Sequence, residues 1–208
     1  NSSAFDDCTL VTEITIPANM KEFDAGVLSD CTMLEKVSVK GEGLYKEIDG
    51  ILYNGDGTEL IYCPVTLFDG AEKYSITFPE TLKKISDNAF YNVAGLKEVS
   101  FANVTQDFEI GAYAFYGCTG LTQVNLPQSL TKMGEGVFEN CSNLQTLTFA
   151  DGCKLTELPN FAFVNCSSLT QIRIPAQVAS IPALTSKTVK TWDDYWNRWE
   201  EETLNAGI

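Results

Sequence analysis

Histidine is absent from the 208-residue chain. Its absence removes the commonest general base, the usual metal ligand and the nucleophile arrangements built on Ser-His and Cys-His pairs. Carboxylate-only or lysine-based chemistry is left open, but no enzyme is expected. Positive charge is scarce too: Lys plus Arg number 14 against 28 Asp plus Glu, a net charge of −14. Such an excess repels a phosphate backbone and an anionic membrane surface, so nucleic acid is not an expected partner. No apolar run approaches the roughly 18 residues of a transmembrane helix. No basic-plus-apolar leader opens the chain, which therefore reads as mature or trimmed. No Cys-x-x-Cys pair occurs, which argues against zinc, and no cofactor is expected.

What remains is 44% apolar, enough to fold, and it is repetitive. Ala-Phe followed three residues later by Cys occurs at Ala4-Phe5…Cys8, Ala114-Phe115…Cys118 and Ala162-Phe163…Cys166. Relaxed copies are Val27-Leu28…Cys31, Ala89-Phe90…Val93 and Val137-Phe138…Cys141. Three residues on stand Val11, Leu34, Leu96, Leu121, Leu144 and Leu169, and after them the pairs Ile14/Ile16, Val37/Val39, Val99/Phe101, Val124/Leu126, Leu147/Phe149 and Ile172/Ile174. The register L-x-x-V-x-[VFIL], at a period of 23 to 25, is the strand signature of a leucine-rich repeat. Ile76-x-Phe78 adds a seventh strand.

The residue after each strand alternates: Pro17, Lys40, Pro79, Ala102, Pro127, Ala150, Pro175. Proline lacks the ladder donor and fixes φ, so it ends a strand with a tight exit. The next core residue then arrives seven positions after the strand's last apolar residue (Phe23, Ile85, Met133, Ile181), but nine where Ala follows (Ile110, Leu158). The resulting double unit spans 48 residues, as Cys118 to Cys166 shows.

One repeat cannot bury its own apolar edge, but stacked repeats share a continuous core. The expected fold is an α/β-type solenoid, a right-handed leucine-rich-repeat superhelix with short parallel strands on its concave face. The Phe positions should fill the side away from the strands. Residues 1–182 form this array, and residues 183–208 form a separate C-terminal cap. Asn1-Ser2-Ser3 leads straight into Ala4-Phe5, so the chain begins mid-repeat, and an edge prone to fraying or self-association is expected there.

Val27 to Ala89 spans 62 residues, so about one and a half repeats have been replaced. Between two apolar-aromatic runs lies Asn54-Gly55-Asp56-Gly57, which predicts an inserted β-hairpin over residues 45–64. Asp49, Asn54, Asp56 and Glu59 lack the spacing of a complete calcium loop. After Ser180-Ile181-Pro182, Thr191 with Asp194 resembles a capping box, and Trp192, Trp196 and Trp199 share one face at helical spacing. A helical cap, with the indoles covering the last repeat, is expected in preference to a Trp ligand platform.

Five of the seven cysteines (Cys8, Cys31, Cys118, Cys141, Cys166) occupy one repeat position that also accepts Val93, which marks a small buried slot for reduced thiols. Cys63 and Cys153 lie outside it, with redox state undetermined. The sequons at Asn140 and Asn165 contain the repeat cysteine and read as by-products of the repeat.

The pattern I-x-x-x-A-F-x-x-C-x-x-L-x-x-[VI]-x-[IL]-P, best kept at Met133–Phe149 and Leu158–Pro175, resembles the BspA-like leucine-rich repeats of bacterial surface proteins. The Asp49–Pro64 insertion and a C-terminal aromatic helix after the last Ile-Pro resemble features of that family. The resemblance implies a secreted or outer-surface location, often with a lipid anchor (here outside the chain), in host-associated bacteria. It implies binding or adhesion to a protein or glycan and no catalytic residues. Outward strand positions are Glu13, Thr15, Lys36 and Ser38, then Glu98, Ser100, Gln123, Asn125, Thr146, Thr148, Gln171 and Arg173; the last eight are the candidate ligand-binding face. The alternative is a structural spacer or self-assembling display scaffold.

Overall fold

The computed structural model describes residues 4–70 and 75–179, together with the backbone of two further strands, residues 188–193 and 198–203. The chain winds as a parallel β-solenoid of about seven turns. Its strands are β1 (Glu13–Pro17), β2 (Lys36–Lys40), β3 (Tyr45–Ile48), β4 (Ile51–Asn54), β5 (Glu59–Tyr62), β6 (Ser75–Thr77), β7 (Lys84–Ile85) and β8 (Glu98–Ser100). There follow β9 (Phe108–Ile110), β10 (Gln123–Leu126), β11 (Leu130–Met133), β12 (Thr146–Phe149), β13 (Gln171–Arg173), β14 (Thr188–Asp193) and β15 (Arg198–Thr203).

All seven strands expected from the repeat are present: β1, β2, β6, β8, β10, β12 and β13. They do not form one sheet. β1 and β2 pair with each other, whereas β6, β8, β10, β12 and β13 run in parallel within a larger sheet. Their inward residues, such as Val99, Val124, Leu147 and Ile172, stand in register and are buried. Ile85, Ile110 and Met133, which the sequence marks only as core positions, lie on β7, β9 and β11. These form a second parallel ladder in which Ile85 pairs with Ile110, and Ile110 with Met133.

The inserted segment is larger than a single hairpin. Asp49 and Gly50 both take positive φ (53° and 82°), the combination that a tight two-residue hairpin turn requires. The chain therefore reverses there as well as at Gly55–Gly57. β3, β4 and β5 form an antiparallel meander, and β5 joins β7 in parallel, so the meander completes the second sheet. It also divides the core. Leu52, Ile61 and Tyr62 pack with the N-terminal cluster around Leu28, Leu34 and Val37, while Ile51, Tyr53 and Leu60 pack with the long cluster that continues to Ile172. In β4 the division follows from the alternation of side chains across a strand.

The third side of each turn is made by the Phe segment. Phe90, Phe115, Phe138 and Phe163 are stacked at centroid spacings of 5.0, 5.3 and 6.2 Å, with planes within 10°. Backbone bonds join these turns along the axis: the N–H groups of Phe90, Phe115 and Phe138 donate to the carbonyls of Ala114, Val137 and Ala162. Cys63 makes the same bond to Ala89, so it fills the Phe position of the turn before, and this accounts for its burial outside the cysteine row. Left-handed backbone recurs in two slots of the Phe turns. One holds Asp7, Asn92, Gly117, Asn140 and Asn165, and the other Asn88, Tyr113, Gly136 and Phe161. Asn tolerates this region better than most residues, which gives the Asn140 and Asn165 sequons a backbone origin.

The expected C-terminal helix is not found. Thr188–Asp193 and Arg198–Thr203 form an antiparallel hairpin in which Trp192 stands opposite Trp199, and β14 adds in parallel to β13 through Gln171–Lys190 and Ile172–Thr191. The reason is the edge of β13: a helix packed over it would leave a row of backbone donors and acceptors unpaired, whereas a strand pairs them. Thr188, Val189 and Thr191 are β-branched and suit that conformation. Asp194, Tyr195, Trp196 and Ala206, and the expected boundary at residues 182/183, lie outside the described residues.

Candidate functional site

Alternation places the outward side chains of the large sheet in two rows. Ser75, Glu98, Gln123, Thr146 and Gln171 are mutual register partners in one row, and Thr77, Ser100, Asn125, Thr148 and Arg173 in the other. Successive rungs are about 4.8 Å apart. The structure thus brings together every residue from Glu98 to Arg173 of the candidate face. Ser75 and Thr77 extend both rows; they flank Ile76, whose place in the Ile76-x-Phe78 signature is the signal that locates them. Glu13, Thr15, Lys36 and Ser38 are on the separate β1–β2 sheet, where Lys36 and Glu13 pair at 3.7 Å on the surface.

The face is polar and only partly pre-paired. Thr148 Oγ1 donates to Asn125 Oδ1 at 2.5 Å, which fixes the amide orientation at the centre of one row. Arg173 pairs with Asp151 at 3.2 Å; Asp151 is 87% exposed, so this pair contributes little stability. Along Thr77, Ser100, Asn125 and Thr148 the row offers hydroxyl and amide groups that both donate and accept. Beside it a shallow cavity of about 470 Å³ is lined by Thr77, Glu98, Ser100, Gln123 and Asn125, with Ala102, Pro127 and Ala150 from the strand exits along one side. Its neighbour, of about 240 Å³, is bounded by Ala150, Asp151, Arg173 and Gln177. The alternating Pro and Ala exits therefore shape the margin of the face as well as the length of each turn.

Asn54, Asp56 and Glu59 of the insertion are engaged within its own turn and with the adjoining β7 segment. Asp56 Oδ1 accepts from the Thr58 N–H and hydroxyl at 3.0 and 2.7 Å, bonds that hold its carboxyl below the usual carboxylate value. Asn54 Oδ1 accepts from the Glu59 N–H, and Glu59 binds Lys84 and the Ser86 hydroxyl, each at 2.7 Å. Among the described residues no group of three or more Cys, Asp or Glu side chains is placed to hold a metal ion. No described helix is long and apolar enough to cross a membrane.

Comparison with known proteins agrees with this geometry. The family model for the BspA type leucine rich repeat region matches in six copies over residues 1–54 and 63–187. Among solved structures, a leucine-rich repeat protein from Eubacterium ventriosum is 26% identical, with a TM-score of 0.68 over 81% of this chain and 45% of that one. A leucine rich cell surface protein from Faecalibacterium prausnitzii is 25% identical, with a TM-score of 0.58 over 80% of this chain and 48% of that one. The pneumococcal vaccine antigen PcpA is 24% identical, with a TM-score of 0.61 over 87% of this chain and 50% of that one, and it supports the fold alone. The chain spans about half the length of these relatives. No curated protein matches it.

Proposed function

The chain belongs to the BspA-type leucine-rich repeat family, and from that premise we propose that it is a non-catalytic binding or adhesion module exposed at a bacterial surface. It recognises a host or bacterial protein, or a glycan, through the rows Glu98–Gln123–Thr146–Gln171 and Ser100–Asn125–Thr148–Arg173. The observation that carries this reading is the continuity of the two polar rows over five strands in one register, with the cavities beside them. Register-locked strands present these groups with little conformational entropy left to lose on binding. The hydroxyl and amide groups of the rows suit an extended peptide or an oligosaccharide, whose own donors and acceptors repeat along a line. The surface location follows the Faecalibacterium prausnitzii relative, which is a cell surface protein.

The test is a screen of the full chain on glycan arrays and extracellular-matrix protein panels, alongside a Gln123→Ala, Asn125→Ala, Thr148→Ala triple variant. The expected result is a ligand retained by the parent chain and lost by the variant. A ligand held equally by both would remove the sheet from the account.

A further inference from the structure

Away from the strand rows, the Phe turns carry a cluster of partly exposed aromatic side chains. Tyr91 and Tyr116 follow Phe90 and Phe115 by one residue and stack face to face at 4.6 Å, with planes 3° apart. Tyr113 meets Tyr116 edge-on at 6.1 Å. All three rings are half-buried, neither enclosed in the core nor fully in solvent. Backbone bonds from Asn92 to Tyr116, Gly117 to Glu139 and Asn140 to Val164 fix the rungs, so Glu139 is the next rung after the tyrosine pair.

The backbone beneath the cluster is strained where it need not be. In the slot that other turns fill with Asn88 and Gly136, Tyr113 and Phe161 hold φ of 54° and 57°. Bulky aromatic residues occupy this region only at an energetic cost that Asn and Gly largely avoid. Phe161 is 47% exposed, so core packing does not explain its presence. The Tyr113 ring instead lies over Gly136, where an added Cβ would meet its Cε1 at 2.3 Å. Strain of this kind concentrates at functional positions.

The electrostatic setting selects the ligand. The Tyr113 phenol is pushed up by burial and by the Glu135 and Glu139 carboxylates beside it, and the Glu139 carboxyl is pushed up by partial burial and by Glu135. No ion pair among the described residues engages either carboxylate. Negative charge beside partly exposed aromatic rings is an arrangement that attracts a cation, and a guanidinium both stacks on aromatic rings and binds carboxylates. The chain's net charge of −14 would steer such a partner inward.

We propose that Tyr91, Tyr113, Tyr116, Glu135 and Glu139 form a second interaction surface, which takes an arginine-bearing basic segment of a partner protein. It is independent of the strand face. The test measures binding of a labelled arginine-rich peptide, a glutamine peptide of equal length and a neutral oligosaccharide to the full chain. Variants are Tyr116→Ser, Glu139→Gln and, as a control for general acidity, Glu109→Gln at the exposed position of β9. The expected result is saturable binding of the arginine peptide alone, weakened at least about fivefold by Tyr116→Ser and by Glu139→Gln and unchanged by Glu109→Gln. The proposal is overturned by no binding of the arginine peptide, by equal binding of the glutamine peptide, by an equal loss in Glu109→Gln or by no loss in Glu139→Gln. Oligosaccharide binding that Tyr116→Ser abolishes would also overturn it, in favour of a sugar platform.

Discussion

The Cys141 thiol donates a hydrogen bond to the carbonyl oxygen of Phe115, one turn back along the solenoid, at 3.1 Å. Cys118 makes the same bond to Phe90, and Cys166 to Phe138, each at 3.1 Å. The repeat cysteine is therefore more than a small apolar filler: each thiol ties its turn to the carbonyl of the turn before. Val93 fills the equivalent slot without a donor, so packing alone suffices there. Cys141→Val should accordingly fold and lose about 1 kcal/mol, the net worth of one hydrogen bond. Urea unfolding checks this, and a loss above about 3 kcal/mol would mean that shape rather than the bond governs the slot.

Accessibility separates the cysteines. Cys8 is only half-buried and the other six are buried. A thiol reagent at neutral pH should modify Cys8 within minutes and reach the rest only in denaturant. Rapid modification of three or more thiols in the native protein would contradict the packing described.

Burial also makes the thiol row a source of alkaline instability. Burial raises the Cys166 thiol from its ordinary 9.0 to about 12, and raises Cys118 and Cys141 as well. Above about pH 9 the unfolded chain releases thiol protons that the folded chain retains, so this contribution is complete below pH 9 and is lost progressively towards pH 12. The melting temperature should fall more steeply over that window in the parent chain than in Cys166→Val. Parallel curves would refute the linkage; tyrosines common to both proteins cancel in the comparison.

Gly117 combines a φ of +67° with a position where a Cβ would meet Asn92 Oδ1 at 2.0 Å. Gly117→Ala should therefore cost at least about 1–2 kcal/mol. Asn140→Gly, in the same slot one turn on, keeps the left-handed backbone available and should cost less, limited to its side-chain bond with Asn165. Thermal melts of the two variants decide the order, and equal losses would remove the backbone explanation.

Pairing of β14 with β13 protects the sheet edge. Deleting residues 188–208 should expose β13 and produce association that grows with concentration, visible in size-exclusion chromatography beside the full chain. Unchanged elution would show that β13 is protected in another way.

The strand face was legible because one-sided burial fixes its register: with Val124 and Leu126 inward, Gln123 and Asn125 must point out. The second sheet was not, since β7, β9 and β11 are too short to show a period and reveal only Ile85, Ile110 and Met133 as core. The first turn of the insertion was written in Asp49-Gly50 but overshadowed by the Asn-Gly and Asp-Gly that follow. At the C-terminus, Trp192 and Trp199 fit a helical period and a hairpin register equally well, and the unpaired edge of β13, a tertiary fact, selects the hairpin. Tyr91 and Tyr116 stand 25 residues apart, so their stacking emerges only when the residue after each repeat Phe is compared between turns.

In the proposed ligand-binding rows of the large sheet, Asn125 stands mid-row beside the cavity of about 470 Å³. The most direct measurement is the affinity of a ligand recovered from the array screen for the parent chain and for Asn125→Arg, whose longer side chain would fill that space. Binding at least about tenfold weaker, with the melting temperature unchanged, is the predicted result. Equal affinity in a folded Asn125→Arg chain would contradict it.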